Sequence, residues 1–160
     1  MTKRKTLVDV AHVSLLVLIP GVAAWLLGQP LIFPSLGPSA FALVLDPGEN
    51  RARRVIGGHL IGVVSGLLAY HLLAHGLSLV DLVPALSSAG LRIVASGVVS
   101  ILLTTGLMLA TRASHAPACA TTLIVSLGLL PSWTDGLLIM VAVIAMFLAH
   151  RSVMWLRTRH

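Results

Sequence analysis

The sequence predicts an all-α, polytopic membrane protein. It should have four long transmembrane helices and two short, broken half-helices, arranged as two inverted three-segment repeats. Three observations lead there. First, 57% of the 160 residues are hydrophobic and only 10% are charged, whereas a soluble domain carries roughly 25% charge. Second, four apolar runs are long enough to cross ~30 Å of hydrocarbon, which takes about 20 residues of helix. Third, two further apolar stretches are too short to cross as ordinary helices, and each is opened by a proline.

The first long run is Leu7 to Leu27, after the basic start Lys3-Arg4-Lys5. Gly21-Val22-Ala23-Ala24 could pass for a signal-peptide cleavage region. The apolar run continues through Trp25-Leu26-Leu27, however, and more hydrophobic runs follow, so a first membrane helix is the better reading.

Next comes Leu31 to Leu45, LIFPSLGPSAFALVL, interrupted by Pro34, Gly37 and Pro38. Non-helical backbone at membrane depth survives only where protein or a watery cavity satisfies it. The expectation is an extended lead-in over Phe33 to Leu36 and a half-helix from Pro38, which suits a first helical position. The N–H groups of Ser39, Ala40 and Phe41 would then be free. With the partial positive charge of a helix start, they would form a seat for an anion. Asp46-Pro47-Gly48 reads as a turn, followed by a loop with Arg51, Arg53 and Arg54.

Val55 to His75 is the third run, with Gly58, Gly62 and Gly66 at four-residue spacing. Small residues so spaced let helix backbones approach closely, either within one subunit or between copies. A polar loop, Ser78 to Gly90, leads to the fourth run, Ile93 to Ala110, where Ser96, Ser100 and Thr104 share a face. These hydroxyls suit hydrogen bonds across helices. The fifth run, Ala118 to Leu130, is short and follows Ser114-His115-Ala116-Pro117. The sixth is Gly136 to Trp155, and the chain ends basic with Arg157 and Arg159.

Long helix, short proline-opened segment, long helix: the order occurs twice. The whole of 1–160 reads as one domain, with repeat 1 over about 7–75 and repeat 2 over about 91–156. If all six segments cross, the clusters at Lys3–Lys5, Arg51–Arg54 and Arg112 and the C-terminus lie on one side. The other side has Arg92 as its one exception. The positive-inside rule makes the basic side cytoplasmic, with both termini there, in a cell membrane. Re-entrant short segments are the alternative.

Three segments per repeat would insert the second half upside down. Inverted repeats with a discontinuous helix in each half place a transporter's site where the broken helices meet near the midplane. Ser35, Ser39, Ser114, Thr121 and Thr122 supply hydroxyls there, and no Asp or Glu lies in either short segment. That polarity favours a small inorganic anion. The candidate substrate-binding positions are Ser35, Gly37, Ser39, Ala40, His115, Ala118, Cys119, Thr121 and Thr122. His59, Pro38 and Pro117 are candidate gating or structural residues.

Phe33-Pro34-Ser35-Leu36-Gly37-Pro38-Ser39-Ala40, Arg54-Val55-Ile56-Gly57-Gly58-His59 and Ser114-His115-Ala116-Pro117-Ala118-Cys119-Ala120-Thr121 together resemble the HPP family of integral membrane proteins. The family is named for a His-Pro-Pro motif. The resemblance covers about Leu7 to Leu156, and implies an integral membrane protein related to members associated with nitrite transport. Ala116 stands where the family's first proline would be, and Cys119 where glycine is usual.

Other chemistry is poorly represented. The chain has no HExxH, GxSxG or Walker A motif, and no Ser–His or Asp–Asp pair is placed by spacing, so no enzyme and no catalytic residue is expected. A single Cys119 excludes an intramolecular disulfide and any cysteine-based zinc site. His71 and His75 are one helical turn apart but lack an evident third ligand. No metal or cofactor is expected, and no nucleic acid, since there is no soluble basic face. Besides the bilayer and the anion, the expected partner is a second copy of the chain, through the glycine-rich helix 55–75. The competing functional reading is a non-transporting scaffold or regulatory subunit.

Overall fold

The computed structural model describes residues 3–46 and 51–159, and these form six α-helices with no strand among them. They are α1 (Lys3–Leu26), α2 (Phe33–Leu45), α3 (Ala52–Ala69), α4 (Ser88–Thr111), α5 (Ala118–Ser126) and α6 (Trp133–Thr158). A π-helical turn, Tyr70–Ala74, extends α3. Lys5–Leu26, Ala52–Ala74, Ser88–Thr111 and Trp133–Thr158 are each long and apolar enough to cross a membrane, with mean hydropathy of 1.6 or more. At 13 and 9 residues, α2 and α5 reach only about 20 and 14 Å at 1.5 Å per residue.

Local chemistry sets the helix ends. The Ser87 hydroxyl accepts from Gly90 N–H at the start of α4. Ser132 and Asp135 form a reciprocal capping box on α6, which satisfies two otherwise orphaned donors. At the end of α4, Arg112 adopts a left-handed φ of 53°. Its N–H and that of Ala113 bond back to Leu109 and Met108, the closure that satisfies the last carbonyls. The chain thereby turns towards α3.

One expectation is corrected at α2. The helix begins at Phe33, after a 3₁₀ turn over Pro30–Ile32, so Pro38 lies inside it. Pro34 takes the early position that needs no N–H. Pro38 forgoes its own bond to the Pro34 carbonyl, but it is exposed, so its ring displaces no packed neighbour. The expected turn over Pro47-Gly48 lies outside the described residues.

Contacts between helices fix their relative directions. Gly58, Gly62 and Gly66 of α3 meet His115, Thr122 and Val125 in the same order, so α3 and α5 run parallel. Arg53 bonds Thr111 O and Arg92 bonds Leu73 O, so α4 runs antiparallel to α3. Trp133 stacks on His71, which sets the start of α6 beside the end of α3. His12 stacks on His150, and Arg157 reaches Val8 O, making α1 antiparallel to α6. Phe41 and Leu45 lie against Thr6 to Ser14, so α2 returns along α1. Consecutive helices therefore alternate in direction. Lys5, Arg51, Arg53, Arg54, Arg112, Arg157 and Arg159 gather at one end of the bundle. Arg92, at the other end, has its guanidinium engaged by the Leu73 carbonyl.

α3 is the central helix, packed on α4, α5 and α6. A Cβ on Gly62 would come within 2.8 Å of Thr122 Oγ1 and 2.9 Å of Ala118 O; on Gly66 it would meet Val125 Cβ at 2.8 Å. The glycine stripe is therefore filled by α5 of the same chain and is not a free surface for a second copy, because close approach of the two backbones leaves no room. The outward face of α3, with Leu60, Val64 and Leu68, stays exposed. Leu16, Leu36, Leu43, Leu67, Ile139, Val143 and Met146 fill the core.

Candidate functional site

The polar residues of the short segments converge where α2, α3 and α5 meet. Ser39 Oγ of α2 lies 2.8 Å from His59 Nε2 and 3.2 Å from His115 Nε2. His59 Nδ1 lies 2.8 Å from Thr121 Oγ1 of α5. A single hydrogen-bonded chain, Thr121–His59–Ser39–His115, thus links three helices, with the two imidazole centroids 5.3 Å apart. All four side chains are 0% exposed, so the cluster is closed to both membrane faces in this conformation.

Local features put each group in place. His59 follows Gly58, where a Cβ would stand 2.8 Å from His115 Cβ, so the missing side chain is what allows the two histidines to come together. His115 precedes Pro117, the residue that caps α5. Ser39 is in the body of α2, on the face shared with the buried Leu36, Ala40 and Leu43. His59 is four residues before Val63, the middle of the span Ala52–Ala74, hence about 6 Å off centre towards the arginine-bearing end at 1.5 Å per residue.

Not all candidate positions join the cluster. Ser35 Oγ donates to Ile32 O at 2.9 Å, tying down the start of α2. Gly37 has open space where a Cβ would be, and Pro38 is exposed; both look outward. Ala40 and Ala118 are fully buried packing residues, and Ser114 is exposed. Cys119 is half-buried and free. Thr122 faces α4, 2.9 Å from Thr104 Oγ1. On α4, Ser96 donates to Ser126 O at 2.7 Å and Ser100 to its own Gly97 O, so this polar stripe is glue between and within helices.

The anion seat expected from the N–H groups of Ser39, Ala40 and Phe41 is not formed, and the start of α5 offers none either. Ser39, Ala40 and Phe41 lie inside α2, where N–H groups bond to carbonyls four residues back. At α5, Ala118, Cys119 and Ala120 donate to His115, Ala116 and Pro117 at 3.0–3.1 Å. These tight turn bonds use up the orphan donors of the helix start. What the meeting point offers is side-chain hydroxyl and imidazole. It also supplies the Ser–His pair, Ser39 and His59, that spacing alone did not place.

A second histidine pair was invisible in the sequence. His12 of α1 and His150 of α6 are buried and stack with centroids 5.1 Å apart and planes 5° from parallel. None of their four ring nitrogens has a hydrogen-bond partner among the described residues. Only the antiparallel docking of α1 on α6 identifies the neighbour of His12. His71 and His75 are exposed near Tyr70 and Trp133. No group of three or more His, Cys, Asp or Glu side chains is arranged for a metal among the described residues.

Long apolar helices and a polar cluster sealed between them define a multi-pass helical membrane protein. The model for the family described as HPP, transmembrane region, matches residues 2–160. The chain therefore belongs to the HPP transmembrane family. No curated protein and no solved structure matches it.

Proposed function

We propose that this protein is a transporter or channel for a small inorganic anion, and that the anion is met by Ser39, His59, His115 and Thr121. The observation that carries this reading is the cluster itself: hydroxyls and imidazoles, fully buried, at the junction of two short helices. No Asp, Glu, Lys or Arg is among the buried described residues. Donors without a fixed carboxylate favour an anion over a metal cation. Nitrite is the first candidate, through the family resemblance. The closed conformation would have to open, and an incoming anion would replace Ser39 as the hydrogen-bond partner of one imidazole.

The basic end of the bundle is assigned to the cytoplasm by the positive-inside rule, with both termini there and the protein in a cell membrane. The opposite sense of α1–α3 and α4–α6 suits two inverted repeats. Catalysis is not part of the proposal. Ser39–His59–Thr121 has the connectivity of an activated hydroxyl, but acyl transfer also needs oxyanion donors and access. The first donors of α5 are engaged, and Ser39 is sealed.

The second reading is a membrane scaffold or regulatory subunit. It is favoured by the same cluster being internally hydrogen-bonded and closed. Flux into vesicles containing the purified protein separates the two. Uptake of nitrite, nitrate, formate, chloride or bicarbonate above that of empty vesicles supports transport. No uptake of any of them, with a stoichiometric partner co-purifying, supports the scaffold.

A further inference from the structure

We propose that the Thr121–His59–Ser39–His115 chain carries a proton, and that one proton moves with each anion. This rests on the transport reading above and adds its co-substrate. The key atom is Ser39 Oγ, set 2.8 Å from one imidazole nitrogen and 3.2 Å from another. A hydroxyl has a single proton, so it can donate to only one of the two rings and must accept from the other. Two arrangements satisfy the chain. In one, Ser39 donates to His115 Nε2 and accepts from His59 Nε2–H, while Thr121 donates to His59 Nδ1. In the other, Ser39 donates to His59 Nε2, His115 Nε2–H donates to Ser39, and His59 Nδ1–H donates to Thr121.

An excess proton converts this into a relay. With His115 protonated, its Nε2–H proton passes to Ser39 Oγ as the Ser39 proton passes to His59 Nε2. The His115 Nε2–H bond breaks, Ser39 Oγ gains one O–H bond as it gives up another, a new N–H bond forms at His59 Nε2, and the single positive charge moves from one ring to the other. The chain has room for one such proton and not two, because imidazolium rings with centroids 5.3 Å apart would repel strongly in a medium of low dielectric.

The surroundings leave these rings as the proton carriers. The titratable group set against His59 is His115, with ring centroids 5.3 Å apart. From α4 the nearby side chains are Met108 and Thr104, the latter bonded to Thr122. α6 faces the core with Ile139, Val143 and Met146, and the His12–His150 pair stacks separately between α1 and α6. On α5, Cys119 is the other titratable group, half-buried. One imidazolium beside one monovalent anion is neutral overall, so the pair can move without working against the membrane potential.

The test uses wild-type protein in vesicles holding a pH-reporting dye, with nitrate and chloride as probes because their conjugate acids are fully dissociated near neutral pH and leave almost no neutral form to carry a proton across lipid. An inward anion gradient at equal pH should acidify the lumen, with about one proton per anion. A potassium diffusion potential set with valinomycin should leave the initial rate unchanged within twofold. His59→Gln and Ser39→Ala should each lower the proton signal at least tenfold, and Ser39→Thr should restore it. Anion uptake that follows the potential without a pH change would overturn the coupling and leave the transport reading standing. Absence of uptake of these two probes and of nitrite, formate and bicarbonate as well would remove both. The wild-type proton-to-anion ratio decides the matter even if a variant fails to fold.

Discussion

Ser39 and His59, twenty positions apart, share a 2.8 Å hydrogen bond with no exposed surface on either residue. The bond joins the broken first-half segment to the central helix, and every property proposed for the site passes through it. Ser39→Ala would remove the hydroxyl that both imidazoles bond, at about 1–3 kcal/mol for a buried group left unsatisfied. Anion flux should fall at least tenfold, and the melting temperature in detergent should drop. Ser39→Thr should retain most of both. Full flux with Ser39→Ala would show that the serine is only packing.

The glycines separate into two kinds. Gly62→Ala should destabilise the protein by about 1–3 kcal/mol through overpacking, because its new Cβ would press on Thr122 Oγ1 and Ala118 O. Gly106→Ala, with nothing within 4 Å of the added Cβ, should be neutral or stabilising by up to about 1 kcal/mol through helix propensity. Thermal unfolding of the two purified variants checks this. Equal effects would mean that α5 does not lie against the glycine stripe.

Ser96→Ala removes the hydroxyl that bonds Ser126 O. Hydrogen bonds between membrane helices average about 0.6 kcal/mol and reach about 1.7. A stability loss of that size with anion flux unchanged is expected. A large flux defect would move Ser96 from the packing of α4 into the conduction path.

The His12–His150 stack leads to a less intuitive expectation. Its four ring nitrogens have no hydrogen-bond partner among the described residues, and replacing buried unsatisfied groups by apolar ones of similar shape can be neutral or stabilising. His12→Phe combined with His150→Phe retains ring stacking and should leave the melting temperature equal or higher. A drop of more than a few degrees would show that the nitrogens have partners, such as bound water.

Helix direction can be read from labelling. In a Cys119→Ala background, Lys5→Cys and Arg159→Cys should react with an impermeant maleimide from one face of the membrane, and Asp81→Cys from the other. All three positions are exposed. Labelling of Lys5→Cys and Arg159→Cys from opposite faces would contradict the alternation of α1 to α6.

Much of the fold was legible because it is set locally. A run such as Ile93 to Ala110 is apolar over a membrane's thickness and becomes a spanning helix wherever it sits. Ser132 and Asp135 cap α6 at the spacing a capping box requires. The beginning of α2 was misread because Pro34 and Pro38 compete to start one helix. The choice goes to the earlier proline once Ser35 bonds Ile32 O and the ring of Pro38 finds open space.

The sequence by itself determined the class of this protein, its four long and two short apolar segments, its family, and the residue types available for a buried polar site. Those follow from hydrophobic length, proline chemistry and motif order, which need no knowledge of what packs on what. Only the tertiary structure decided that the glycine stripe receives α5, that Ser39 bridges two histidines, and that His12 stacks on His150. Each of these depends on where one helix lands on another. Periodicity marks which face of a helix is buried; the partner of a side chain on that face is chosen by docking.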